Sequence, residues 1–428
     1  MGTIDTGTDE LLCSLEDGVG AGEAYWAPHS TRQGLRHATI GGRVARKLHD
    51  ATMALSCGES RSVLKGNDVS DQTYVRIAES IDRGFQTAPK EGDELSRAFI
   101  AYLELVYTPE EAELVQHLEM LPRPPKTAQE VAEAAGQDAA AVDAVLSALV
   151  EKGFLAGSKR GYALPMIPNL VNLHMFYPDI KPDDLKAADL YQQFFIKDRF
   201  YKYYGTSGQG TPTLRSIPVE HAIHPDEKVF SGEEAHAHIK GLDTEDLALV
   251  PCPCRTRTEK LGIRECKDQL PVASCIFIGS TATHFEKLGL GKRVTKQQAL
   301  AYLDEAVELG LIPTANNYLA DPHNIMCLCC GCCCSNVRGR TRWDNPTAVL
   351  PSQFVPEATD ECVQCETCID RCFLDALSMD EEAERPVVDT DKCIGCGVCT
   401  ITCQTDSLKL HRFERPGKPF ENRVEFAL

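Results

Sequence analysis

The 428-residue chain carries 63 acidic against 44 basic residues, a net charge of −19. That balance repels nucleic acid and anionic lipid unless a local basic patch overrides it, and the lack of any apolar run of about 18 residues excludes a membrane-spanning helix. Hydrophobic residues at 43% and charged residues at 25% are those of a globular protein, long enough for about two to four domains.

The N-terminus, MGTIDTGTDELLCSLEDG, is acidic and lacks the basic-then-apolar order of a signal peptide, so the expected compartment is the cytoplasm. Twenty cysteines are many for this length. In a reducing compartment they read as metal ligands or catalytic groups rather than disulfides. Cys13 and Cys57 stand apart, and the other eighteen fall between Cys252 and Cys403.

Residues 1–107 read as an acidic lead-in followed by a helical region. RVARKLHDATMAL and DQTYVRIAESIDR place apolar residues at three- and four-residue spacing, which predicts two amphipathic helices. Cys57, just after the first, reads as a small buried apolar residue. Residues 108–164 form the next unit. Thr108-Pro109-Glu110-Glu111 is a helix start, and helices follow over Ala128–Ala135 and Ala139–Lys152, then a hairpin around Gly157–Gly161. This order resembles a winged helix. Between Thr108 and Leu164, nine acids face five bases, so a structural or protein-docking use is expected rather than DNA binding.

Residues 165–356 are expected to form a mixed α/β, cysteine-rich domain. It opens on an aromatic stretch, LYQQFFIKDRFYKYY, which reads as a helix laid across the core or against a partner. Leu247–Val250 reads as a strand leading into Cys252-Pro-Cys254-Arg255, and Thr295-Lys-Gln-Gln opens a capped helix running to Gly310. Then comes CLCCGCCCSNVRGRTR, which holds six cysteines in eight positions.

Residues 357–428 carry the strongest signal. Cys362, Cys365, Cys368 and Cys372 follow the spacing C-x2-C-x2-C-x3-C, and Cys393, Cys396, Cys399 and Cys403 repeat it. Three close thiolates wrap one face of an iron–sulfur cube and the fourth reaches the other cube. One [4Fe–4S] cluster is thus assigned to Cys362, Cys365, Cys368 and Cys403, the second to Cys393, Cys396, Cys399 and Cys372. About 50 residues here resemble a bacterial two-cluster ferredoxin. The proline that usually follows each fourth cysteine in that family is replaced by Phe373 and Gln404.

Ten further thiols lie upstream. A third centre, iron–sulfur or alternatively zinc, is expected at Cys254, Cys266, Cys275 and Cys329, with Cys252, Cys327, Cys330, Cys332, Cys333 and Cys334 as other candidate ligands; a redox-active thiol pair and thiols without a cofactor are the other readings of the run. Arg255, Arg338, Arg340 and Arg342 either offset an anionic cluster or form a pocket for an anionic substrate. His236, His238, His284 and His323 are expected to be solvated or structural. No dinucleotide or P-loop motif is found.

As a whole, the order of these segments resembles multi-cluster ferredoxin-domain proteins of anaerobic bacteria. The resemblance covers roughly residues 108–411 and implies electron transfer. The expected architecture is therefore α+β multidomain. The expected role is a relay of single electrons between the C-terminal pair and the central centre, with a redox partner protein docking on an acidic, aromatic surface. A reductase acting on an anionic substrate and a redox or metal sensor are the alternatives.

Overall fold

The computed structural model describes residues 69–85, 87–120, 122–174, 184–206, 210–320 and 322–427. Cys13, Cys57 and the helix expected over Arg43–Leu55 lie outside them. The described residues contain both helices and strands, as expected of an α+β chain. None of their helices is long and apolar enough to cross a membrane.

Local signals set the N-terminal helices. Val69–Asp82 buries Tyr74, Ile77, Ala78 and Ile81, one face at helical spacing. Ser96 caps the helix Arg97–Val106 by accepting the Phe99 N–H. Thr108 and Thr127 each start a helix with a reciprocal capping box, closed by Glu111 and Glu130. Gly136, at φ +66°, ends the helix Ala128–Ala135, and Asp138 caps the helix Ala139–Glu151. The strands Ala156–Ser158 and Gly161–Ala163 then form a hairpin, and Lys126 bridges to Tyr162 beside it.

The aromatic stretch turns inward. Tyr191, Phe194, Phe195 and Phe200 are all buried, in the helix Asp184–Gln192 and the two short turns after it. Phe194 meets Phe99 and Tyr102 edge-on, with ring centroids 5.5 and 5.8 Å apart. One apolar core runs from Tyr74 through Leu146 and Phe200 to Phe277. This packing answers the aromatic part of the expected docking surface: most of those rings are not on the surface.

The central region is built on a six-stranded sheet. From edge to edge it runs Leu214–Ser216, Ile312–Asn316, Ile325–Cys329, Ser274–Ile278, Leu247–Pro251, Lys292–Val294. Every pairing is antiparallel. Thr295 caps the helix Lys296–Glu308 through a capping box with Gln298. At the C-terminus, Phe354–Ala358 pairs with Leu408–Arg412 and Leu377–Asp380 with Arg385–Val388, both antiparallel.

His236 sits between two carboxylates, with Nδ1 2.9 Å from Glu234 and Nε2 2.7 Å from Asp304. The Glu234 hydrogen bond leads in raising its pKa. A raised histidine adds stability that is present below its unfolded pKa, about 6.5, and that fades as pH climbs through the folded value. His236→Gln should therefore cost about 1 kcal/mol more at pH 6 than at pH 8.5, Asp304 being partly exposed and screened. Urea unfolding of both proteins at the two pH values measures this; an equal cost at both would show that the imidazolium pairs contribute nothing.

Candidate metal centres

The C-terminal cysteines gather around two cavities. Cys362, Cys365, Cys368 and Cys403 line one. Cys372, Cys393, Cys396 and Cys399 line the other. Each cavity thus takes three cysteines from one run and the fourth from the other. The two runs also share a backbone trace: Gln364 and Glu366 in the first, Gly395 and Gly397 in the second, all have φ between +54° and +76°. Asp375 and Asp406, three residues after each fourth cysteine, are left-handed too. The turns direct backbone donors at sulfur, and the Gly395 N–H donates to Cys393 Sγ at 3.3 Å.

Burial, ahead of the nearby thiols, pushes Cys368 up to about 11, and burial pushes Cys396 up to about 12. Such thiols form thiolates only when a metal supplies the compensating charge.

The ten central thiols fall into two groups. The first is a closed ring. Cys252 neighbours Cys254 and Cys275; Cys254 neighbours Cys334; Cys275 neighbours Cys327; and Cys329 stands between Cys327 and Cys334. The Cys334–Cys329 contact is 3.2 Å. Secondary structure explains the set. Cys327 and Cys329 lie two apart on the strand Ile325–Cys329 and so share a face, while Met326 and Leu328 fill the other. Cys275 comes from the neighbouring strand Ser274–Ile278. Cys252 and Cys254 sit where the strand Leu247–Pro251 passes into the helix Pro253–Lys260. Neighbouring thiols, Cys252 first in both cases, drive Cys254 and Cys275 well below the ordinary thiol range.

The second group is Cys266, Cys330, Cys332 and Cys333, whose sulfurs all lie within 4.8 Å of one another. The foursome expected from sequence, Cys254, Cys266, Cys275 and Cys329, is therefore not brought together. Cys266 belongs to the second group and the other three to the ring. Two causes divide them: strand alternation keeps Cys327 with Cys329, and the chain turns at Cys330–Cys333. Adjacent thiols share the second group: Cys332 and Cys333 stand 3.5 Å apart.

Two arginines beside the ring are fully buried, Arg255 and Arg257, and Arg338 is 4% exposed. Arg255 donates to the carbonyls of Leu328, at 2.8 Å, and Val272, and its guanidinium faces Cys252, Cys330 and Cys275. Arg257 lies 4.1 Å over the Tyr191 ring and donates to Ser335 Oγ at 3.2 Å. Ser335 in turn meets Tyr191 at 2.8 Å and Cys254 Sγ at 3.8 Å. The Arg257 Nε and the Arg338 Nε and Nη2 atoms are buried without a partner. Buried guanidinium groups facing thiols need negative charge there, so an anionic metal–thiolate assembly fits this donor set.

The remaining arginines diverge. Arg340 donates to the backbone carbonyls of Val349, Asp391 and Pro346, and Arg342 pairs with Glu265. Arg338, Arg340 and Arg342 thus do not converge on one anion pocket. Arg257 was not singled out from sequence, although no acid stands four residues to either side of it on its helix. Among the histidines, His238 packs on His323 at 4.4 Å, and His323 stacks on Tyr318 at 5.0 Å. Burial lowers the pKa of both His238 and His284.

The ring and the ferredoxin-type segment are in contact. Cys329 and Cys334 share one buried cluster with Cys393 and Ile394, and Cys372, Phe373 and Cys396 pack against it. Ile312 pairs with Cys329 across the sheet and also lines the cavity of Cys393 and Cys396. Phe373, where a proline is usual, lies against Gly331: a Cβ there would sit 2.5 Å from the Phe373 Cβ.

A family model for a 4Fe-4S binding domain matches residues 386–409, the segment of Cys393, Cys396, Cys399 and Cys403. No curated protein and no solved structure matches the chain. The chain is an iron–sulfur protein with a segment that binds at least one [4Fe–4S] cluster.

Proposed function

We propose that this protein relays single electrons through two C-terminal [4Fe–4S] clusters to a central iron–sulfur centre held by the six-thiol ring. The clusters would supply one-electron redox chemistry; the chain positions them, buries them and sets the charge around them. The observation that carries the reading is the shared packing of Cys329 and Cys334 with Cys393 in one buried apolar cluster. Leu377, Cys399 and Leu408 form a second buried cluster, against which Cys368, Cys372 and Cys403 pack, joining the two cavities. The order is then outer cavity, inner cavity, ring.

The outer cavity is where a partner protein would exchange electrons. Cys365 is exposed and Val363 is 60% exposed. Asp360, Glu361, Glu366 and Asp370 surround them and are exposed as well. A basic face on the partner matches that acidic loop, in place of the aromatic stretch, which is core. Four of the six ring thiols suffice for one cube.

Cys365→Ala tests the order. It should remove about four irons and their sulfide and leave the central electron paramagnetic resonance signal in place. Loss of the central signal as well would mean that the outer cavity is not a separable first station.

A further inference from the structure

We infer that Cys266, Cys330, Cys332 and Cys333 form a separate site for a single tetrahedral metal ion, zinc or iron, distinct from the ring. The inference lies outside the proposed relay and stands on its own geometry. Four thiolates on one ion with bonds of about 2.3 Å place their sulfurs about 3.8 Å apart. Thiolates on the separate irons of a cube stand farther apart, at about 6 Å. Here Cys332 lies 3.5 Å from Cys333 and 3.7 Å from Cys330, and Cys266 lies 3.7 Å from Cys333. All four sulfurs fall within 4.8 Å of one another. The spacing is that of one ion and is too tight for a cube.

The ligands come from two segments that little else joins. Cys330, Cys332 and Cys333 occupy one tight turn, and its Gly331 presses on Phe373. Cys266 lies in the loop between Gly262 and Leu270, which has no regular structure and is braced locally, by Arg264 to Glu259 and to the Leu270 carbonyl. Apart from the thiols, Arg342 to Glu265 is a tie from this loop to the knot. One ion bound by all four thiolates would close the loop over the turn and fix the Gly331–Phe373 contact. Binding of a divalent ion by all four thiols releases four protons and leaves the site with a charge of −2, beside Arg255 at Cys330 and Arg342 at Cys332 and Cys333.

The test uses the full chain purified without oxygen, with iron, zinc and acid-labile sulfide counted per chain for the wild type and for Cys332→Ser and Cys266→Ser. A single-ion site contributes metal but no sulfide. The expected result is one metal equivalent beyond the iron that matches sulfide, lost in both variants with sulfide unchanged. If that ion is zinc, the zinc count falls from one to zero; if iron, the excess of iron over sulfide disappears. Iron equal to sulfide with no zinc in the wild type would overturn the inference, as would variants that lose iron and sulfide together. Should either variant fail to fold, X-ray absorption on the wild type decides. Four sulfur neighbours at about 2.3 Å around zinc, or around a mononuclear iron fraction, support the site, and their absence ends it.

Discussion

Gly395→Ala is expected to abolish the iron signal that depends on Cys393, Cys396 and Cys399, and to lower the melting temperature by about 5–10 °C. Two costs combine. Gly395 has φ +62°, where an L-residue costs about 1–2 kcal/mol. A Cβ there would also lie 2.2 Å from both the Phe354 carbonyl oxygen and Ser352 Oγ. Neither neighbour can yield cheaply. Phe354 belongs to the strand Phe354–Ala358, paired along its length with Leu408–Arg412, and Ser352 Oγ donates to the Gly395 carbonyl at 2.7 Å. Overpacking of this kind adds about 1–3 kcal/mol, against a total stability of about 5–15 kcal/mol. Gly136→Ala is the control. Its φ is +66°, but nothing lies within 4 Å of the added Cβ, so it should cost about 1–2 kcal/mol and retain all its iron. Scanning calorimetry and an iron count on the two variants separate the effects. If Gly395→Ala matches Gly136→Ala in both, the close approach of the cysteine loop to Phe354 does not hold the ligands in place.

That loop also shows what was legible in sequence. The repeated C-x2-C-x2-C-x3-C spacing marked out the eight C-terminal thiols that line the two cavities, because each run is local. The capped helices after Thr108, Thr127 and Thr295 were legible for the same reason: a capping box is a contact between residues three apart. Sorting the ten central thiols was a different problem. Half of the answer was present in the alternation of Cys327 and Cys329, which share a face once Ile325–Cys329 is a strand. The other half was not local. Cys266 meets Cys333 across 67 residues and Cys254 meets Cys334 across 80, and nothing in the spacing of either pair chooses between them. Phe373 is similar. As a departure from the proline usual after a fourth cysteine it was visible, but its partner Gly331 is reached only through the fold.

If the ring holds the proposed iron–sulfur centre, Arg255→Met should make its midpoint potential more negative by on the order of 100 mV. The argument starts from burial. Arg255 is 0% exposed, and it faces Cys252, Cys330 and Cys275. Reduction adds an electron to an assembly that is already anionic, so a nearby cation stabilises the reduced form more than the oxidised one. A unit charge a few ångströms away, at an effective dielectric near 20, is worth about 3 kcal/mol, or on the order of 100 mV for one electron. The methionine also leaves the Leu328 and Val272 carbonyls without their donor, at about 1–3 kcal/mol each. Arg255→Lys separates the two contributions: it keeps the charge but not the planar fork, so it should shift the midpoint by less than half as much while losing comparable stability. A redox titration followed by electron paramagnetic resonance reads the potential, and an iron count guards against loss of the centre itself. Methionine with full iron and a midpoint within about 20 mV of wild type would mean that the ring holds no charged redox centre beside Arg255. The expected shift would instead show why two guanidinium groups are buried among thiols rather than carboxylates: the ring serves as their counter-charge, and they in turn set how readily it accepts an electron.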